Sequence, residues 1–331
     1  MIVEEVRDPN TGLEAALVVI SEKGLSFGGT RFSTQCTVLE VQDLARCMEK
    51  KLSGHTQKIH GAKAGFFCAP DDPGLPALMA IAAEQWRPLL EKRVVLGKDM
   101  GASNALLDQF YALVGQAQLA PVHGSDVPSR LRDFEGYRSH MTGQGVCWSL
   151  SSFFGGRLSG VRVAIQGYGA VGLGTAIRLT RAGAHVVGLS DIQGAYSFEV
   201  PPDEETLLAM AAKGALSPNP GISLESREDL FSMDVDAIVL AADSHSVREK
   251  DAARVRAKVM VEGSNFGLCP EARAWLLRAG IPVIPDYVAS SASAAMVALQ
   301  MEFNGRMTEA DLWQRIETSI RNQVEALIFT E

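Results

Sequence analysis

Val161–Asp191 reads VRVAIQGYGAVGLGTAIRLTRAGAHVVGLSD. An apolar run from Val161 to Ile165 meets Gly167-Tyr168-Gly169-Ala170-Val171-Gly172, and a helix-forming stretch follows. A second apolar run, HVVGLSD, ends on Asp191. The order strand, glycine turn, helix, strand is that of a dinucleotide-binding βαβ unit. Gly167 permits a tight turn, Gly169 lets the backbone approach a pyrophosphate, and Gly172 lets helix and strand pack closely. The helix start at Ala170 and Val171 supplies amide donors and a partial positive charge. Asp191, with Ile192 beside it, stands 24 residues after Gly167, near the expected spacing of about 20 for the acid that binds the ribose hydroxyls. Its charge opposes a 2′-phosphate, so NAD is expected in preference to NADP. A tight βα turn followed by an exposed aspartate is the plainer alternative, and the combined context weighs against it.

Working outward, DAIVLAA, AKVMVEGSN and IPVIPD read as further buried parallel strands after this unit. Before it, AALVVIS, AGFFCAP and RVVLGKD read as strands. They alternate with helical stretches: TVLEVQDLARCMEKKL, LPALMAIAAEQWRPLLEK and NALLDQFYALVGQ. Thr37 and Glu40 form a T-x-x-E capping box at the first helix. The fold class is therefore α/β with two domains, the second a doubly wound Rossmann-type domain. Leu119 to His140 is polar and marks the boundary, and GQGVCWSLSSFFGG reads as the helix leading into the second half. The division expected is 1–135 for a substrate domain, 136–290 for the dinucleotide domain, and 291–331 for C-terminal helices returning to the first. Trp313, Ile316, Ile320, Val324 and Leu327 give the last helix one apolar face.

With 331 residues, a net charge of −8 and a sequence pI near 5.4, the chain lacks the overall basic balance that nucleic acid or an anionic membrane surface selects. Neither is expected as a partner. The start, MIVEEVRDPN, carries acids where a signal peptide carries apolar residues, and no apolar run reaches membrane-span length. Five scattered cysteines without a CxxC read as reduced core thiols, so a cytoplasmic protein is expected. The six histidines show no metal-ligand spacing.

Chemistry beyond dinucleotide binding is sought in Lys51, Lys63 and Asp99. Singly, Lys51 suits a helix end and Asp99 suits a helix cap. Lys63 is different: it lies in KIHGAKAGFF among small and aromatic residues, where burial lowers an amine's pKa and prepares a general base.

FGGTRFS, the Lys51-to-Lys63 spacing in MEKKLSGHTQKIHGAKAG, GKDMGAS, TGQGV, AKVMVEGSN and IPVIPDYVAS together resemble the glutamate/leucine/phenylalanine/valine dehydrogenases, in register from about Leu25 to Val297. The resemblance implies NAD(P)-dependent oxidative deamination of an L-amino acid, and reductive amination of a 2-oxo acid with ammonia. It implies that Lys51 meets the α-carboxylate, that Lys63 activates water or stabilises the carbinolamine at the α-carbon, and that Asp99 shuttles a proton. Thr142, Ala241, Ala242, Asn265 and Ser290 would lie along the cofactor, the copies forming a homo-oligomer.

Departures from the family pattern direct the substrate expectation. Phe27, before Gly28, stands where glutamate-specific members carry a lysine, and Val297 where they carry a serine. Gly97 and Ala294 are small at positions expected to line the side-chain pocket. The leucine/phenylalanine type and an apolar or aromatic substrate are therefore expected. The family's NAGG segment is Ser290-Ser291-Ala292-Ser293 here, and His60 replaces a glycine. These changes leave two alternatives: an imine or ketone reductase, and a dinucleotide-binding paralogue without turnover.

Overall fold

Leu17 and Val18 point to opposite faces of one sheet, and each face carries its own core. The sheet is built from β1 (Ile2–Arg7), β2 (Glu14–Val19), β3 (Leu25–Phe32), β4 (Ile59–Phe66) and β5 (Val94–Lys98), in the order β1-β2-β4-β3-β5. β2 runs antiparallel to β1 and β4, whereas β3 runs parallel to β4 and β5. The helices are α1 (Val38–Ser53), α2 (Leu75–Leu90) and α3 (Asn104–Val114). Leu17, Ala62, Ala64 and Phe66 pack with Leu78 and Trp86 of α2 and Phe110 of α3, while Val18 packs with Val41 and Ala45 of α1. In this computed structural model the described residues are 1–115, 134–212, 216, 222–303 and 306–329.

β4 begins earlier than AGFFCAP suggests, and β1 and β3 arise where the sequence offered no strand signal. The glycines of β4 are glycines because α1 lies close on them. A Cβ at Gly61 would stand 2.4 Å from Glu49 N and 2.6 Å from Ala45 O. The register then sets up the site: Gly29 of β3 pairs with Lys63 of β4 on one side and Gly97 of β5 on the other.

The second sheet follows α4 (Phe134–Phe153). Its elements are β6 (Arg162–Gln166), α5 (Ala170–Arg181), β7 (His185–Ser190), β8 (Ala195–Ser197), α6 (Glu204–Ala212), β9 (Ile222–Ser223), β10 (Ala237–Leu240), α7 (Glu249–Ala252), β11 (Val259–Glu262), α8 (Pro270–Arg278), β12 (Val283–Ile284) and α9 (Asp286–Ala289). Strand order is β12-β11-β10-β6-β7-β8-β9; β12 through β7 are parallel, and β8 and β9 are antiparallel. This is the Rossmann-type α/β arrangement expected.

The chain divides into two compact units, Met1–Asp133 with Ala294–Leu312, and Phe134–Ser293 with Trp313–Glu331. α10 (Ala292–Phe303) and α11 (Glu309–Phe329) end the chain. The C-terminal segment, expected whole on the first domain, is thus shared between the units. The reason is the apolar face of α11. Ile316, Ile320 and Val324 are buried, and Trp313 meets Trp148 of α4 edge-on at 5.4 Å, while Leu327 stays 36% exposed. Of the polar stretch read as a boundary, 119–133 lies outside the described residues. No helix among those residues is long and apolar enough to cross a membrane.

Trp86 is fully buried, with Phe66 at 5.7 Å and Phe110 at 6.0 Å between ring centres. Trp86→Ala is expected to destabilise the first unit by about 3–5 kcal/mol in urea unfolding. A loss under about 1 kcal/mol would contradict this core assignment.

Candidate active site

Lys63 sits within β4, 3% exposed, and its Nζ donates to Asp99 Oδ2 at 2.7 Å. Arg31 of β3, 6% exposed, donates from Nε to the same oxygen at 2.8 Å. Its other arm, Nη1, donates to Glu40 Oε1 at 2.6 Å. Asp99 follows β5 directly and is placed by its own N–H, which donates to Thr30 O at 3.1 Å. A Cβ at position 29 would lie 2.9 Å from Asp99 Cβ and 3.2 Å from Lys63 Nζ, so glycine there gives the pair its room.

Burial holds the Lys63 amine below its ordinary range; Asp99 opposes this, while the nearby cations Arg31 and Lys51 reinforce it. Burial pushes the Asp99 carboxyl up, but Lys63 and Arg31 outweigh it and hold the group well below the usual carboxylate range. The result is an ionised carboxylate beside an amine poised to lose its proton, as general base chemistry requires.

Lys51 lies on the buried face of α1, 8% exposed. His60 faces Glu49, with Nδ1 and Oε1 3.1 Å apart, and Glu49 Oε2 accepts from the Gly61 N–H. His60 thus belongs to the seam between α1 and β4. Sequence reasoning gave no role to Arg31, although FGGTRFS contains it. Only half of the expected capping box forms as written: Thr37 Oγ1 accepts from the Glu40 N–H at 3.2 Å, but the Glu40 carboxylate turns to Arg31.

Phe27 and Val297 come together, each 6% exposed, in a cluster with Leu52, Ile59, Val95 and Ala298, and Ala294 packs against it. Gly97 lies beside the Phe27 ring, where a Cβ would make ordinary contact at 3.4 Å. Gly28 faces the β4 backbone; a Cβ there would overlap Ala62 O at 1.7 Å. These apolar side chains bury one another as core. Their chemistry therefore does not report the side chain of a substrate.

In the second unit the expected turn forms between β6 and α5. Gly167 has φ 90°, and a Cβ on it would lie 2.5 Å from Ala241 O, while one on Gly172 would meet Gly167 O at 1.9 Å. Gly169, by contrast, has nothing within 4 Å of its Cβ position, and no side chain caps the helix that begins at Ala170. An open glycine face at an uncapped helix start fits a pyrophosphate. Asp191 Oδ1 accepts from the N–H groups of Gln193 at 2.8 Å and Gly194 at 3.1 Å, and Oδ2 accepts from Leu216 N–H at 2.9 Å. Ile192 is 89% exposed. The half-buried Thr142 lies on α4, which reaches α5 through Gly143, where a Cβ would stand 2.4 Å from Gly174 C.

Ala241 and Ala242 follow β10, and Asn265 follows β11, its carbonyl accepting from Ser244 Oγ at 2.9 Å. The loop carrying Asn265 is held by Glu262, fully buried, whose Oε1 accepts from Leu268 N–H at 3.0 Å and whose Oε2 binds Arg273. Burial raises the Glu262 carboxyl despite that arginine. His245 (φ 54°) and Phe266 (φ 53°) both occupy left-handed backbone, and their rings stack at 6.2 Å. Periodicity gave no signal for this pair. Ser290 Oγ donates to Asp286 O at 2.8 Å and is buried.

Residues 136–330 match the model of the Glutamate/Leucine/Phenylalanine/Valine dehydrogenase family. The chain belongs to that family. It is 30% identical over 278 residues to an NADP-specific glutamate dehydrogenase of Saccharolobus shibatae, covering 80% of this chain and 64% of that protein's length. An NAD-specific glutamate dehydrogenase of Staphylococcus aureus is 26% identical, covering 93% of this chain and 76% of its own length. A hetero-hexameric glutamate dehydrogenase from Thermus thermophilus, in a leucine-bound form, shares the fold with a TM-score of 0.77 at 24% identity, over 98% of this chain and 82% of its own. These relatives overturn the expectation of a leucine/phenylalanine-type member with an apolar or aromatic substrate. The closed cluster around Phe27 and Val297 is the physical reason that expectation misled. One relative is NAD-specific and the other NADP-specific, so what they have in common is a nicotinamide dinucleotide.

Gly169→Val is expected to leave the melting temperature within about 2 °C and to weaken dinucleotide binding about tenfold or more. Gly172→Ala, which must displace a backbone carbonyl, is expected to lower the melting temperature instead. Thermal melts with dinucleotide titration check both; equal behaviour of the two variants would contradict the roles given to these glycines.

Proposed function

We propose that this chain is an NAD(P)-dependent amino acid dehydrogenase that deaminates an acidic, glutamate-type L-amino acid and runs the reverse amination. The observation that carries the chemistry is the buried Lys63 on an Asp99 oxygen shared with Arg31. The glutamate dehydrogenases among its relatives support the substrate class.

Lys51, on the buried face of α1, pairs with the α-carboxylate and fixes the α-carbon. A nicotinamide dinucleotide, when bound, would supply the hydride chemistry at that carbon, as acceptor in deamination and as donor in amination. Lys63, as the free amine, accepts a proton from the water that adds to the resulting iminium carbon. Asp99 carries a proton to the nitrogen, which leaves as ammonia, and takes it back in amination. Gly167 to Gly172, Thr142, Ala241, Ala242, Asn265 and Ser290 hold the dinucleotide. Asp191 favours NAD over NADP, because its carboxylate repels a 2′-phosphate. Three N–H bonds leave about one of its four acceptor sites for a ribose hydroxyl.

Oxidation of NADH and NADPH is followed with ammonium and 2-oxoglutarate, 4-methyl-2-oxopentanoate or phenylpyruvate. Turnover with 2-oxoglutarate, faster with NADH, is expected; its absence would sink the substrate assignment. Lys63→Met is expected to reduce kcat about 10²–10⁴-fold with dinucleotide affinity unchanged. In the wild type, the deamination rate rises with pH as Lys63 loses its proton. It levels off below the ordinary lysine value of 10.5, because burial depresses the folded-state value. A limb at or above that value would remove Lys63 as the base.

A further inference from the structure

Arg31 and Lys63 converge on one oxygen, Oδ2 of Asp99, at 2.8 and 2.7 Å. Oδ1 of the same carboxylate has no hydrogen-bond partner among the described residues, and the side chain is 23% exposed. A lysine and an aspartate alone in a buried site form an ion pair in which the carboxylate keeps the amine protonated. Such a pair is a poor base. Arg31 changes this, because a guanidinium is always charged and competes for the same oxygen. Its second arm is anchored on Glu40, so its position is fixed from both ends.

We propose that Arg31 is a positioning residue of this site: it holds Oδ2 of Asp99, so that Oδ1 is the oxygen presented to the substrate nitrogen and the carboxylate is shared, not given wholly to Lys63. The inference rests on the dehydrogenase reading and adds a residue to it. The charged groups around Lys63 come from several elements. Asp99 follows β5, Arg31 is on β3, and Lys51 lies on α1, as does Glu40, which reaches the site through Arg31. The Cys36 thiol is also close, but burial pushes it up to about 11, so it contributes no charge near neutrality. Arg31 is thus the fixed cation that offsets Asp99.

The test uses the full chain labelled with 13Cε-lysine. The Lys63 resonance is assigned by its loss in Lys63→Gln and titrated by NMR in wild type, Arg31→Met and Arg31→Lys. In Arg31→Met, loss of the cation is expected to raise the Lys63 midpoint by about one pH unit or more. The pH–rate limb should move with it, and kcat should fall about tenfold or more. Arg31→Lys should return the midpoint toward wild type while kcat stays low, since a point charge cannot grip two carboxylates as the fork does. An unchanged midpoint in Arg31→Met, with circular dichroism and dinucleotide affinity as in wild type, overturns the proposal. If Arg31→Met does not fold, full kcat in Arg31→Lys overturns it. Absence of turnover in the wild type would strike the dehydrogenase reading, and the NMR midpoints would still decide the role of Arg31.

Discussion

One carboxylate oxygen organises the first unit. Oδ2 of Asp99 takes hydrogen bonds from Lys63 and Arg31, and Arg31 passes on to Glu40. Burying two cations and a carboxylate carries a large desolvation cost, which only close pairing offsets. The local sheet meets that demand. β3 lies between β4 and β5, in a register that puts Gly29 opposite Lys63 and Gly97. Any side chain at position 29 would press on both Lys63 and Asp99. Glycines in this sheet are therefore part of the electrostatics as well as the packing: they let charged groups from neighbouring strands meet without water between them.

The second unit solves a different problem with the same residue type. At the turn from β6 to α5, glycine allows the left-handed backbone of Gly167 and the close approach of Gly172 to it. Gly169 is spared from packing altogether, which leaves amide groups at a helix start facing open space. Asp191 closes the arrangement from the end of β7. Its hydrogen bonds to Gln193, Gly194 and Leu216 fix the following loop.

What the sequence disclosed follows from how far each signal reaches. The glycine turn was legible because turn geometry is local and glycine alone meets it. Lys63, Lys51 and Asp99 were legible through motif spacing. The strands β3 and β4 were obscured, because the glycines of β4 answer to α1 above them and those of β3 to the β4 backbone and the Lys63–Asp99 pair, so neither strand carries a plain alternation of apolar side chains. Arg31 was in plain view, but its partner Asp99 lies 68 residues away, and single-chain periodicity contains no trace of that pairing. Phe27 and Val297 misled for a related reason: residue type cannot distinguish a pocket wall from a core, and both proved to be core. The apolar face of α11 was visible, whereas the surface it covers was set by Trp148 of α4.

The site depends on the charge state of the Asp99 carboxylate. A 13C-aspartate NMR titration, with Asp99 assigned by its loss in Asp99→Asn, measures that state directly. If Lys63 and Arg31 share the carboxylate, it stays ionised as pH falls to about 3, below the ordinary aspartate value of about 3.9. A titration midpoint at or above about 3.9 would mean that the two cations do not hold it, and would contradict the site as described.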